Sequence, residues 1–584
     1  LAAAARAGFH GSELFEADLL GSPLSPAEVR GRADELGLTI DLYQPFRDFE
    51  AVPPAQLERN LRRAEHKLDV MGALGADTML VCSNVAPDAI DDDALAAAQL
   101  RQLAERAGAR GMRIAYEALA WGTHVSEYDH AWRIVEAADH PALGTCLDSF
   151  HVLSRGTDLG AIADIPGDKV FFLQLADAPH LTMDVLQWSR HYRCFPGQGA
   201  FDLADFVRRV LDAGYTGPLS LEVFNDVFRQ ADPDRIAVDA MRSLRVLEDR
   251  LPASAPLDGF AFVEIGVDAD SAPDTEHVLR TMGFAHVGPH RSKPVQLWQH
   301  GDIRVVLNHG AGDEDPEVVA VAVQSADPDR SAERAQALLA PVLDRRRGDG
   351  EADLAAIAAP DGTAVFFCGR DGGWLGDFLA LNGNGDDGVP IDGIDHITLA
   401  QPFEAFDEAV LFYRSVLALS PGASAELAAP HGLVRSRALA DPDRRVRIVL
   451  NVPALAGTRR GQAELQHIAF ATGDALAAAR AMRERGAELL PIPDNYSDDL
   501  AARFELDADL LDELRELGVL YDVERGRGEL LHFYSGHVEG RMFFEVLERR
   551  GGYDGYGAVN SPVRMAAQRT STRRRDGDHA RRRA

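Results

Sequence analysis

Four oxygen-bearing side chains recur at one place in a repeating pattern. Glu117, Asp148, Gln174 and Glu222 lie near the ends of four successive apolar runs: MRIAYEAL (112–119), LGTCLDSFH (143–151), KVFFLQLAD (169–177) and PLSLEVFND (218–226). Carboxylates gathered away from water resist ionising unless a cation neutralises them. An all-oxygen set suits a hard cation, so Mg2+ or Mn2+ is expected, or beyond these Co2+, in preference to zinc. Such an ion polarises a carbonyl oxygen and stabilises negative charge developing on it. A second set lies far downstream: His396 in GIDHITLA, His467 in LQHIAFAT and Glu545 in FFEVLER, each in an alternating apolar run. Two histidines and one carboxylate with open positions form the facial arrangement of non-haem iron oxygenases, so Fe2+ or another divalent metal is expected there.

The elements that must position the first set are parallel βαβ units. From residue 8 to about 225, apolar runs at 8–16, 38–46 and 77–83 precede the four above, and amphipathic stretches such as 55–75 and 93–111 separate them. Strand–helix–strand at this spacing predicts an α/β fold, a (β/α)8 TIM barrel over residues 1–252. In such a barrel the C-terminal strand ends share one face, which would bring the four residues together. Seven strands are visible, and LAAAARAGFHG (1–11) reads as the last turns of a helix. The first strand of the barrel is therefore expected to be missing, with an incomplete N-terminus. After a helix at 235–251 and a linker, PASAPLDG (252–259), the pattern changes to α+β. FAFVEIGVD (260–268), VQLWQHGDIRVVLNHG (295–310) and EVVAVAVQS (317–325) read as strands, and GIDHITLAQP (393–402) opens a second unit of the same pattern. IRVVLNHG (303–310) and VRIVLNVP (446–453) are similar enough to predict a duplication, a pair of βαβββ units per half, over 259–380 and 393–565. LNGNGDDGVP (381–390) is the predicted connector, and the basic tail 566–584 is predicted to be disordered.

Composition narrows the partners. A chain of 584 residues exceeds one core, and 46% hydrophobic with 26% charged residues describes a globular protein. Sixty Lys and Arg against 92 Asp and Glu give a net charge of −32, which argues against nucleic acid as a partner. Four cysteines make neither a disulfide framework nor a CxxC site, so a reducing cytoplasm is expected. No apolar run reaches the roughly 18 residues of a membrane helix. A small-molecule substrate fits these limits, and a homo-oligomer is compatible with them.

The residues around the first set resemble a known family. YEALAWG (116–122), LDSFH (147–151), LQLADAP (173–179), YRCFPGQG (192–199) and LEVFND (221–226) look like the motifs of bacterial 3-dehydroshikimate dehydratases, members of the xylose-isomerase-like barrel superfamily. PFRDFE (45–50) and ELFEADL (13–19) fit the same family, and the resemblance covers residues 1 to about 250. It implies a carbon–oxygen lyase that removes water from 3-dehydroshikimate and yields protocatechuate. Water loss β to a ketone needs a base beside the carbonyl and an acid at the departing hydroxyl. On this resemblance His151, on the loop leaving the Asp148 strand, is the candidate base. His124 is the candidate acid or hydroxyl-binding group. Arg193 and Arg47 are the candidate partners of the substrate carboxylate, for which a guanidinium fork is suited. The alternative is a sugar isomerase or epimerase on the same barrel; neutral sugars have no carboxylate for Arg193 to bind. Cys146 and Cys194, beside site residues, are read as small packing groups.

Residues 259 to about 565 resemble the 4-hydroxyphenylpyruvate dioxygenase branch of the vicinal-oxygen-chelate fold. Glu264 stands in the first half where His396 stands in the second, which implies that only the second half binds metal. His532 replaces a glutamine usual in that family, and Ser561 in YGAVNSP (556–562) replaces a phenylalanine. Both positions shape the family's substrate pocket, so 4-hydroxyphenylpyruvate is not the expected substrate. An oxygenase for another ligand, a metal-bound sensor, and a regulatory or oligomerisation module all remain open readings.

Overall fold

The protein is described here by a computed structural model, which covers residues 1–311, 315–381, 388–429, 432–453, 466–536 and 542–571. The chain divides into two units, Leu1–Arg250 and Leu251–Ala584. The first is the predicted barrel. Strands β1 (Gly11–Phe15), β2 (Thr39–Phe46), β3 (Thr78–Cys82), β4 (Arg113–Glu117), β5 (Leu143–Asp148), β6 (Val170–Leu175) and β7 (Leu219–Leu221) form one seven-stranded sheet in chain order. Every neighbouring pair is parallel, as short helical crossovers dictate. The helix Pro54–Leu74 shows how the crossovers form. It buries Ala64, Leu68, Met71 and Leu74 along one stripe and ends at Gly75, whose φ of 77° closes a helix without a Cβ penalty.

Strand parity aims the site. Along β4, Ile114 and Tyr116 face the helical layer, and Ala115 belongs to an inner cluster with Leu42, Leu80, Cys146 and Phe172. A period of two then turns Glu117, Asp148 and Gln174 inward, since each lies two residues past an inner member. Gly144 lets β5 lie close to β6. A Cβ there would meet Lys169 O at 2.5 Å and the Phe171 ring at 2.6 Å. Gly144→Ala is expected to cost about 1–3 kcal/mol through overpacking, read as a lower denaturant midpoint.

In the second unit, β8 (Leu257–Gly266), β9 (Ala285–Pro289), β10 (Val295–His300), β11 (Ile303–Asn308), β12 (Glu317–Ser325), β13 (Ala355–Ala358) and β14 (Ala364–Cys368) form one sheet in the order β13-β14-β12-β8-β11-β10-β9. A second sheet holds β15 (Gly393–Ala400), β16 (Ser420–Ala429), β17 (Gly432–Ala440), β18 (Arg447–Pro453), β19 (Gln466–Ala471), β20 (Leu520–Glu524), β21 (Gly528–Tyr534) and β22 (Met542–Arg550), in the order β16-β17-β18-β15-β19-β22-β21-β20. In each sheet an opening strand pairs parallel with the closing strand of its own unit, as β8 with β11 and β15 with β18. The repeated phrases at 303–310 and 446–453 are β11 and β18.

The structure modifies three expectations. The unit opened by β12 has two strands after its helix among the described residues, not three. Residues 257–259, assigned to the linker, already belong to β8, because Leu257 pairs with Ser325. The front of the expected disordered tail is helical: the helix starting at residue 561 continues to 571 and buries Ala567 and Gln568. Residues 572–584, and 382–387 of the connector, lie outside the described residues.

Candidate active site

Glu117 and Asp148 are the last residues of β4 and β5, Gln174 lies one residue from the end of β6, and Glu222 follows β7 directly. Asp148 does two jobs. Its Oδ1 accepts from the backbone N–H groups of Phe150 (2.6 Å) and His151 (3.1 Å), capping the helix Ser149–Ser154. Its Oδ2 faces the cluster. His151 therefore stands on a helical turn rather than on the expected loop, with its Nε2 3.9 Å from both Glu117 Oε1 and Asp148 Oδ2.

Arg193 closes the group. Backbone bridges on either side, Asp177 with Cys194 and Tyr192 with Asn225, hold its segment. Asp177 stabilises the following turn by accepting from Ala178, Gly197, Gly199 and Phe201 N–H. Arg193 Nη1 donates to Asp148 Oδ2 (2.8 Å) and Glu222 Oε2 (3.0 Å), Nη2 to Ser189 Oγ (2.9 Å), and Nη2 lies 3.2 Å from His151 Nε2. Its ring neighbours are Phe150 and Phe224, at 4.6 and 5.4 Å. The guanidinium expected to grip a substrate carboxylate thus neutralises the protein's own carboxylates. The charges of Arg47 and Arg229 act on Arg190, as does that of Glu222, and none of the three arginines makes an ion pair within 4.0 Å among the described residues.

Charge is tightly balanced. Burial, then Asp148 and Glu222, push Glu117 well above the usual carboxylate range. Burial also lifts Glu222 to about 7 against the pull of Arg193. For Asp148, burial is outweighed by Arg193 and His151, and its pKa is lowered. Burial, with Arg193 and Arg47, pulls His151 down to about 3, so the ring is neutral. Its Nδ1 accepts from Ala120 N–H at 3.1 Å, so in this arrangement the neutral ring carries its proton on Nε2, the nitrogen facing the cluster.

A divalent cation fits these residues. Glu117 Oε1 is buried without a partner, and Glu117, Asp148 and His151 offer donor atoms all within 4.8 Å of one another. Gln174 sits beside them, its Oε1 3.4 Å from Cys146 Sγ and its Nε2 donating to Glu13 Oε2 at 2.6 Å. Glu13 also accepts from Gln44 and Ser220, and burial with Glu222 pushes it up to about 8. It is a site residue the strand-end argument did not single out, although it sits on β1 inside ELFEADL. His124 is not brought in. It is partly exposed, 3.0 Å from Ala89 O and 3.6 Å from Asp91 Oδ1.

Glu50, in the PFRDFE segment, is enclosed beside β4. Its Oε1 accepts from Asn84 N–H (2.7 Å) and Tyr116 OH (3.0 Å), its Oε2 has no partner, and burial pushes it up to about 7. The folded state therefore holds this proton after the unfolded chain has released it. Stability should fall as pH rises from about 4.5 to 7, by about 3 kcal/mol from this group. Glu50→Gln should flatten that slope in denaturant titrations across the window.

The second cluster spans adjacent strands. His396 on β15, His467 on β19 and Glu545 on β22 are buried. His396 Nε2 is 3.2 Å from His467 Nε2 and 3.6 Å from Glu545 Oε2, and His467 Nε2 is 3.2 Å from the same oxygen. Asp395 Oδ1 lies 2.8 Å from His396 Nδ1 and is itself gripped by Arg447 and Arg549. His532 Nδ1 lies 2.7 Å from Glu545 Oε1, with Asn560 Nδ2 3.0 Å from its Nε2. Carboxylate and imidazole neighbours of this kind orient metal ligands, so the donor set fits a divalent ion. In the first half, Glu264 accepts from Asn308 at 2.6 Å, and no third metal-type cluster occurs among the described residues.

Comparison with known proteins follows the same division. Residues 1–247 match the xylose isomerase-like TIM barrel family, 253–373 the hydroxyphenylpyruvate dioxygenase N-terminal family, and 393–513 the glyoxalase/bleomycin resistance protein/dioxygenase superfamily. The chain is 45% identical to a 3-dehydroshikimate dehydratase of Pseudomonas aeruginosa, over 98% of this chain and 96% of the relative. It is 44% identical to one of Pseudomonas putida, over 97% and 95%. A 4-hydroxyphenylpyruvate dioxygenase of Pseudomonas aeruginosa is 27% identical over 55% of this chain and 95% of its own length. A solved xylose isomerase-like TIM barrel/4-hydroxyphenylpyruvate dioxygenase fusion protein superimposes with a TM-score of 0.89 at 43% identity, covering 97% of this chain and 96% of that one. The carboxylate cluster at the barrel's strand ends and the histidine–carboxylate triad later in the sequence thus belong to a chain of the 3-dehydroshikimate dehydratase family, in its form fused to a dioxygenase-like module.

Proposed function

We propose that the barrel is a carbon–oxygen lyase that removes water from 3-dehydroshikimate to give protocatechuate. The observation that carries this reading is the buried group of Glu117, Asp148 and His151, with Glu222 joined to it through Arg193, together with whole-length kinship to enzymes of that name. Glu117, Asp148, Gln174 and Glu222 would hold Mg2+, Mn2+ or Co2+, and the ion would polarise the ketone oxygen and stabilise charge developing there. His151 takes the proton beside the ketone at Nε2 in the tautomer that carries the ring's own proton on Nδ1, which then gives up the bond it accepts from Ala120 N–H. A nitrogen that takes a proton beside the ketone can return it to the departing hydroxyl. Arg193 keeps Asp148 ionised and fixes the ring beside it. Arg47, with Arg190 and Arg229, supplies the positive charge for the substrate carboxylate. Four buried cysteines, none of them in a disulfide, fit a reducing cytoplasm.

A sugar isomerase or epimerase would leave those arginines without a partner. Purified protein with Mn2+ is therefore offered 3-dehydroshikimate and, separately, neutral ketoses. Protocatechuate from the first and no isomer from the second is the expected result; isomerised sugar without protocatechuate would reverse the assignment.

A further inference from the structure

We propose that the cavity beside His396, His467 and Glu545 binds a small ring acid bearing both a carboxylate and hydroxyls, the class to which protocatechuate belongs. The cavity measures about 500 Å3, ample for a single ring within the ordinary size range of ligand sites. One wall is small and apolar, with Gly422, Ala425 and Ala438 from β16 and β17, which leaves a face for a flat ring.

The polar lining selects the ligand. Arg564 is 7% exposed and lines the cavity. It donates to Gln568 Oε1 at 2.7 Å and lies over the Tyr534 and Phe543 rings at 5.6 and 5.0 Å. No carboxylate lies within ion-pair distance of it among the described residues. A buried guanidinium without a counter-ion is costly, and its fork matches a carboxylate. The other arginines on the lining are already matched, Arg444 with Asp554 and Arg527 with Glu524. Two more wall groups, Tyr556 OH and Asn451 Oδ1, are buried without partners. A ligand hydroxyl can donate to the amide oxygen, and another can accept from the phenol. An acid without hydroxyls would satisfy Arg564 and leave Asn451 unmet; a phenol without an acid would do the reverse. Ser561, also on the lining, keeps the wall open where a ring would close it.

Naming protocatechuate as the natural occupant rests on the function proposed for the barrel; the ligand class does not. The test uses the full chain with Glu117→Gln, which silences the barrel, and titrates protocatechuate, benzoate and catechol by calorimetry. Protocatechuate should bind at least about tenfold tighter than either fragment, and Arg564→Met should weaken it about 10- to 100-fold, the scale of a charge-assisted hydrogen bond. Ser561→Phe, which fills the cavity and leaves Arg564 in place, should abolish the same binding event and guards against misfolding of the first variant. Undiminished affinity in both variants, or benzoate binding as tightly as protocatechuate, overturns the proposal. The readout is heat rather than turnover. A barrel that made no protocatechuate would therefore leave this result standing, and an empty cavity in a chain whose barrel is active would remove only this inference.

Discussion

Glu117→Gln should lower kcat/KM for water loss by about a thousandfold while the barrel stays folded. The first half of the statement follows from charge. Replacing the carboxylate removes one negative charge from the cluster and puts an amide where Oε1 stands buried without a partner. Perturbing groups merely behind a metal ligand costs about 10- to 100-fold in affinity or activity, and losing transition-state charge stabilisation costs about 100- to 1,000-fold. The second half follows from burial. Glu117 ionises reluctantly because it is enclosed beside Asp148 and Glu222, so a neutral isostere relieves repulsion in the metal-free protein. Its thermal midpoint should be unchanged or higher, and bound metal, measured by elemental analysis, should fall. Near wild-type turnover would show that Glu117 is not a ligand.

Arg193→Met should be the most damaging single change to the barrel. The guanidinium is 1% exposed and bonded to Asp148 and Glu222. Removing one partner of a buried ion cluster typically costs about 3–5 kcal/mol, because the other charges stay behind. For a unit of this size that is a drop of about 6–20 °C in the barrel's midpoint. A divalent cation added in excess should restore part of the loss, since it supplies the missing positive charge to the same carboxylates. Arg193→Lys should recover more stability than activity, because an ammonium cannot reproduce the fork that also reaches Ser189 and His151. An unshifted midpoint in Arg193→Met would contradict the picture of Arg193 as the cluster's counter-charge.

Much of this site was legible because strand parity is local. Ala115 and Cys146 facing in requires Glu117 and Asp148, two residues on, to face in, and the apolar runs display that period. The duplicated halves were legible for the same reason, since β11 and β18 carry the same phrase. Other features depend on where chains meet. Glu13 lies on a short strand whose importance comes from Gln44, Gln174 and Ser220 converging on it, and no spacing along β1 announces that. The bonds of Arg193 to Asp148 and Glu222 were not legible, because residue type gives its charge but not its partner. His124 follows a ligand-bearing strand in sequence, yet its loop turns toward Ala89 and Asp91. His151 sits on a helical turn because Asp148 caps it, a signal present in LDSFH as an N-cap acid. The helix at 561–571 hides in a basic segment because the burial of Ala567 and Gln568 depends on tertiary packing rather than on composition.

The most direct test strips the full-length protein with a chelator, then follows protocatechuate by its ultraviolet absorbance as 3-dehydroshikimate is supplied with and without Mg2+, Mn2+ or Co2+. A silent stripped protein whose turnover returns on adding one of these ions is the predicted result. Undiminished product formation by metal-free protein, or none under any metal, would contradict the assignment of the barrel as a metal-dependent dehydratase.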